Sequence, residues 1–242
     1  YWVNCSILGY KHKPVSYEPD MTISIQKILD AISEDTRIVV LLNPNNPIGN
    51  VYTEEELQAV IKKAESVGAI VIVDEAYHYF YPNTFLKYAL EGDNVVILRT
   101  FSKMFSLAAV RLGVIISNPQ IIHYVKNAKL TFDVNSVSLL FGERILEQPE
   151  LIRYLIATEK EGRAYTLKTL AEHGYECRDC RGNFIFVRPH HDAKEVEKRL
   201  REEKKILVHS YGNDLLRSYL RVSTGSVQAM QFFLDAFFAI DG

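Results

Sequence analysis

Lys103 closes the run Arg99-Thr100-Phe101-Ser102-Lys103, eight residues before Arg111. A neutral lysine amine is a nucleophile that condenses with an aldehyde to give a Schiff base. Phe101, Met104 and Phe105 surround this one with apolar neighbours. Asp74 follows the apolar run Ala69–Val73 and opens Asp74-Glu75-Ala76-Tyr77. An unpaired carboxylate there is costly to bury. A protonated ring nitrogen satisfies it, and the pair keeps an aromatic heterocycle electron-withdrawing; a helix N-cap at a strand-to-helix turn is the other reading. Thr100, Ser102 and Arg111 offer two hydroxyls and a guanidinium fork, which suits a phosphate dianion, or else ordinary turn chemistry. Asn43-Pro44-Asn45-Asn46-Pro47-Ile48-Gly49 reads as a rigid loop holding the Asn46 amide in a fixed orientation beside a phenolic oxygen.

These residues need elements that bring them together. Arg37–Leu42, Ala69–Val73 and Asn94–Leu98 are apolar and β-branched without polar alternation. That pattern fits strands buried on both faces of a parallel sheet. Between the first two, Thr53 with Glu56 forms a capping box, and Leu57, Val60 and Ile61 give the following helix an apolar face. Strand, helix, strand predicts an α/β domain with a mostly parallel sheet. Ligands bind such sheets at the carboxyl ends of the strands. Asn46, Asp74 and Lys103 all fall there, although 28 and 29 residues separate them along the chain.

Leu112–Ile116 reads as a further strand, Pro119–Ala128 as a helix, and Pro149–Glu172 as a long helix. Beyond it come a strand (Asn183–Val187), a charged helix (Asp192–Lys204), a strand pair around Leu207 and Tyr219–Val222, and a helix from about Ser226. The expected organisation is a partial large domain over 1–148, an interdomain helix over 149–172, and a smaller α+β domain over 173–242.

The chain has 242 residues, 48% of them apolar and 24% charged, with a net charge of −2. Interspersed charge of this size leaves no basic footprint for nucleic acid or an anionic membrane. No apolar stretch reaches the roughly 18 to 20 residues of a membrane span. Cys177-Arg178-Asp179-Cys180 is a lone CxxC, which supplies two ligands where a structural zinc takes four; no metal site is expected. The reading is free thiols in a reducing cytoplasm.

Asn-Pro-Asn-Asn-Pro-Ile-Gly, Asp-Glu-Ala-Tyr and Arg-Thr-Phe-Ser-Lys-(x)7-Arg-Leu-Gly, in this order and spacing, resemble the class I/II aminotransferases of pyridoxal phosphate fold type I. The nearest look is to the histidinol-phosphate branch. The resemblance implies an aspartate-aminotransferase-like large domain, N-terminally incomplete, with the smaller C-terminal domain. It implies pyridoxal 5'-phosphate on Lys103, which also shuttles the Cα proton. Asp74 would pair with the pyridine nitrogen, Asn46 and Tyr77 with the ring oxygen, and Thr100, Ser102 and Arg111 with the phosphate. Arg221 and Asn183 match substrate-facing positions of the family. A homodimer and an amino donor with a 2-oxo acid acceptor are implied as well.

The chain departs from the family pattern at several positions. Ile48 replaces a usual Thr, and Ser106 and Ala109 replace glycines near the lysine. His209 stands where the histidinol-phosphate branch carries an arginine for the substrate phosphate. An imidazole is a weaker phosphate ligand than a guanidinium, which points away from histidinol phosphate as donor. The family's N-terminal part, with half of the phosphate cradle and a cross-subunit tyrosine, precedes the part matched by Tyr1. The aromatic residue that stacks on the cofactor falls just before Tyr1, or is Tyr1 itself if the loop is shorter. Two further readings share the motifs: an amino-acid-phosphate decarboxylase of the same fold, and the ligand-sensing half of a transcription regulator.

Overall fold

The computed structural model describes residues 1–242. Two short helices, α1 (Trp2–Leu8) and α2 (Ile25–Ala31), precede strand β1 (Ile38–Leu42). Helix α3 (Glu54–Glu65), strand β2 (Ile70–Asp74), helix α4 (Leu86–Glu91), strand β3 (Val95–Thr100) and strand β4 (Gly113–Ile116) follow. The sheet order is β1-β2-β3-β4, the first three parallel and β4 antiparallel at the edge. The Thr53 capping box is present: Thr53 Oγ1 accepts from the Glu56 N–H at 3.2 Å, and Glu56 Oε2 accepts from the Thr53 N–H at 2.9 Å. Leu57 and Val60 thereby face Val71, Val73, Val95 and Ile97 in one apolar cluster.

The sheet differs from the expectation in how its faces are covered. Val71, Val73 and Ile97 are fully buried, but Ile38 on β1 and Val114 and Ile115 on β4 are exposed. Both edges of this sheet keep open backbone ladders and apolar side chains, so burial on both faces holds for its centre alone.

Helices α5 (Pro119–Ala128), α6 (Ser136–Leu146) and α7 (Pro149–Glu172) lead to a second, antiparallel sheet. It contains β5 (Glu176–Gly182), β6 (Phe184–Arg188), β7 (His209–Ser210) and β8 (Leu220–Ser223) in the order β5-β6-β8-β7. Helices α8 (Ala193–Lys204) and α9 (Val227–Asp241) pack against it. Leu207, expected in a strand, is exposed coil, and pairing begins two residues later at His209. The CxxC segment, read without structure, is the edge strand β5, with a bulge between Asp179 and Gly182.

Side-chain alternation along β6 decides how the two halves meet. Ile185 and Val187 join Leu220, Val222 and Phe237 in the cluster under α9. Phe184 and Phe186 point the other way, into a cluster with Ile48, Tyr77, Phe101, Met104 and Phe105. This third cluster joins the loops of the first sheet to the second. Helix α7 ties the arrangement with a network: the buried Arg163 reaches the buried Glu159 and the exposed Asp179, both at 3.2 Å, and Glu159 accepts from the Thr224 hydroxyl at 2.7 Å. Gly162 permits this approach, because a Cβ there would lie 1.8 Å from the Gly225 carbonyl oxygen.

Candidate active site

The carboxyl ends of β1, β2 and β3 gather the three motifs. Leu42 is the register partner of Asp74, and Asp74 of Leu98, so the loops after each strand leave side by side. After β1, Asn43 is buried and its Oδ1 accepts from the Tyr52 N–H at 3.0 Å. Asn45 Oδ1 accepts from the Ile48 N–H at 3.2 Å, which braces the turn and leaves Asn46 exposed on its rim. Ile48 is buried in the joining cluster, so an apolar side chain suits that position. Gly49 closes the loop at φ 80°, with its Cα pressed against the backbone of Cys180 in β5.

Asp74 ends β2. Its Oδ1 accepts from the Ala76 N–H at 3.0 Å, as a strand-to-helix cap would, and its Oδ2 accepts from the Tyr1 hydroxyl at 2.6 Å. Tyr1 therefore meets Asp74 through its hydroxyl, a contact that the stacking role does not include. Glu75, the next residue, points to the opposite side and is buried. It accepts from Thr84 Oγ1, from the Phe85 N–H at 2.8 Å and from Arg99 Nε at 3.0 Å. These bonds fasten the segment that carries Tyr77.

Tyr77 is buried, with its ring edge-on to Phe184 at 5.4 Å and 81°. Burial pushes its phenol above the ordinary value, and the nearby Arg221 guanidinium offsets part of that rise. Lys103 Nζ stands 5.7 Å from the centroid of the same ring. Phe101, Met104 and Phe105 around the lysine are all buried. Thr100 and Ser102 join through a 2.9 Å hydroxyl bond, and the Ser102 N–H donates back to Thr100 Oγ1 at 3.1 Å. Ser106, where the family pattern has glycine, takes φ 55°. Arg111 takes φ 56°, and its Nη1 donates to the Ala108 carbonyl at 2.8 Å, within its own loop.

From the second sheet, Arg221 lies 4.0 Å over the face of Phe184. His209 is its register partner, so both side chains leave the same face of the sheet, and the imidazole is exposed. Asn183 is half-buried at the β5–β6 turn, where its carbonyl accepts from the Thr224 N–H at 2.9 Å. Tyr77 Oη and Arg221 Nε are buried and make no hydrogen bond. Buried polar groups rarely stay unpaired, and these two lie near enough that the Arg221 charge acts on the Tyr77 phenol.

The sequence reading gave no role to Glu75, Phe184 or Tyr211. The Tyr211 ring stands edge-on to His209 at 4.6 Å and packs on Phe186 at 6.0 Å. Arg99 was the available signal for Glu75, since a cation ending an apolar strand calls for a buried partner. Of the thiols, Cys180 lies buried in the joining cluster with Tyr77 and Phe184. Burial raises Cys177 to about 11 and Cys180 to about 12, so both stay protonated. No group of three or more His, Cys, Asp or Glu gathers as metal ligands.

A family profile described as aminotransferase class I and II matches residues 1–237. The chain belongs to that family. Among its relatives, the histidinol-phosphate aminotransferase of Clostridium novyi (strain NT) is 34% identical over 228 residues, covering 93% of this chain and 63% of its own length. That of Caldanaerobacter subterraneus subsp. tengcongensis is 32% identical over 241 residues, covering 98% and 66%. The crystal structure of histidinol-phosphate aminotransferase from Sinorhizobium meliloti, in complex with pyridoxal-5'-phosphate, superposes with a TM-score of 0.88 at 22% identity. It covers 98% of this chain and 66% of that one, and shows the shared fold. The chain thus spans about two thirds of the length of the aminotransferases it matches. Its fold is that of fold type I aminotransferases, a mixed, mostly parallel sheet with an antiparallel edge strand.

Proposed function

We propose that this chain is part of a pyridoxal-phosphate-dependent aminotransferase that moves an amino group between an amino acid, or an amino-phosphate, and a 2-oxo acid. One observation carries the reading. Lys103 stands over the ring of Tyr77, and the charges of Asp74 and Arg221 both act on the unpaired Tyr77 hydroxyl. Pyridoxal phosphate, when bound, supplies an aldehyde and an electron-withdrawing ring.

The residues of the chain divide the remaining work. The Asp74 carboxylate receives the ring nitrogen, and its bond to Ala76 fixes its direction. Tyr77, a protonated phenol in search of an acceptor, donates to the ring oxygen with Asn46 beside it. Thr100, Ser102 and Arg111 would hold the phosphate. Lys103 would hold the aldehyde carbon until the donor's amine displaces it, and the freed amine would then take the proton at the substrate Cα and return it. Arg221 takes the substrate carboxylate, with Asn183 and His209 on the same side. Family membership and the named relatives support this assignment.

We further place the protein in a homodimer. The apolar residues Trp2, Ile7, Leu8, Val137, Leu140 and Phe141 on α1 and α6 are exposed, which supports an assembly that covers them. No helix is long and apolar enough to cross a membrane. The free thiols fit a reducing cytoplasm.

The test uses the whole natural polypeptide with added pyridoxal phosphate. Lys103→Ala should abolish the visible absorbance of the lysine-linked cofactor and transfer to a panel of 2-oxo acids. A variant that keeps the band would sink the assignment.

A further inference from the structure

Both carboxylate oxygens of Asp74 are engaged by donors of the protein itself. Oδ1 accepts from Ala76 in its own turn, whereas Oδ2 accepts from Tyr1, 73 residues away in the chain. At 2.6 Å the tyrosine bond falls in the short range of hydroxyls donating to a carboxylate. Tyr1 is the N-cap residue of α1, so the position of its ring follows that of the helix. A carboxylate has about four acceptor sites. Two donors from different directions therefore fix its rotation and leave lone pairs free.

We infer that Tyr1 is a positioning residue, whose hydroxyl holds Asp74 so that a free lone pair meets the ring nitrogen of the cofactor. The inference rests on the function proposed above. Burial first, and then the bond and charge of Asp74, raise the Tyr1 phenol well above the ordinary range. The hydroxyl therefore carries its proton, as a donor, at neutral pH. The opposite role is a plug, in which the hydroxyl competes with the ring nitrogen for Oδ2. The two roles predict opposite signs on removal of the hydroxyl.

The experiment measures pyridoxal phosphate dissociation constants on the apoprotein of the whole natural polypeptide, by quenching of intrinsic fluorescence. Four proteins are compared: wild type, Tyr1→Phe, Asp74→Asn and the double variant. Loss of one hydrogen bond to a charged group predicts roughly tenfold weaker binding by Tyr1→Phe. In the Asp74→Asn background the same change should shift binding by less than about twofold, because the effect runs through the carboxylate. Tyr1→Phe binding as tightly as wild type, or more tightly, overturns the proposal. A similar loss in both backgrounds overturns it too, since the ring would then act by packing alone. Phe keeps the ring of a partly exposed residue, and an unchanged urea midpoint of the apoprotein checks that the fold persists. Failure of wild type to bind pyridoxal phosphate would instead remove the aminotransferase reading itself.

Discussion

The Arg221 guanidinium stands 4.0 Å over the face of Phe184, whose ring is nearly perpendicular to that of Tyr77. One buried phenylalanine thus sets the height of the Arg221 cation above the loops of the first sheet. Phe184→Ala should cost about 3 to 5 kcal/mol of stability in urea unfolding, as for other buried phenylalanines. Phe184→Leu keeps more of the volume and loses the cation–π contact, worth about 0.5 to 2 kcal/mol. It should raise KM for the carboxylate substrate more than it lowers kcat. An unchanged KM would separate Arg221 from substrate binding.

Gly49 sits at φ 80°, and a Cβ added there would lie 1.9 Å from the Cys180 carbonyl oxygen. Both terms act against any side chain. The left-handed conformation alone costs roughly 1 to 2 kcal/mol for an ordinary residue, and backbone cannot yield as a flexible side chain does. Gly49→Ala should therefore destabilise by more than that amount, read as a lower urea midpoint. Because the displaced loop carries Asn46, cofactor affinity should fall in the same variant.

Ser106 holds φ 55° without the freedom of glycine. Relief of that conformation is worth roughly 1 to 2 kcal/mol, against about 0.5 to 1 kcal/mol of added chain entropy in the unfolded state. The first term wins. Ser106→Gly should stabilise the protein by about 0.5 to 1 kcal/mol, measurable as a raised thermal midpoint. A lowered midpoint would mean that the serine makes a compensating contact.

His78 lies 3.9 Å from the buried Glu75 carboxylate. Burial, and then the Arg99 charge, hold its imidazole below the ordinary 6.5, with Glu75 opposing. The unfolded chain therefore binds a proton here before the folded chain does, and stability falls as pH drops below about 6.5. His78→Gln should flatten the stability-against-pH curve between that value and the depressed one. Parallel curves for the two proteins would assign the acid sensitivity elsewhere.

Much of the site could be read from local pattern. Continuous apolar runs before Asn43, Asp74 and Thr100 required parallel strands, and parallel strands deliver their following loops to one end. Helix α3 was equally legible, because Thr53 and Glu56 satisfy each other within one turn. The two short helices α1 and α2 were not read, since seven residues give too little periodicity to weigh. Strand β5 was obscured by its charged residues and its bulge.

The sequence by itself determined which chemical groups are present and which end of the sheet carries them. It did so because burial periodicity and turn chemistry act over a few residues. Tertiary structure alone decided the partners: Tyr1 with Asp74, Glu75 with Arg99, Gly49 against Cys180, and Arg221 over Phe184. Each of these joins separate segments of the chain, and Gly49 against Cys180 joins the two halves. That last approach depends on how the Phe184 and Phe186 face of the second sheet settles onto the loops of the first. No local pattern fixes that docking; the fit of the packed side chains does.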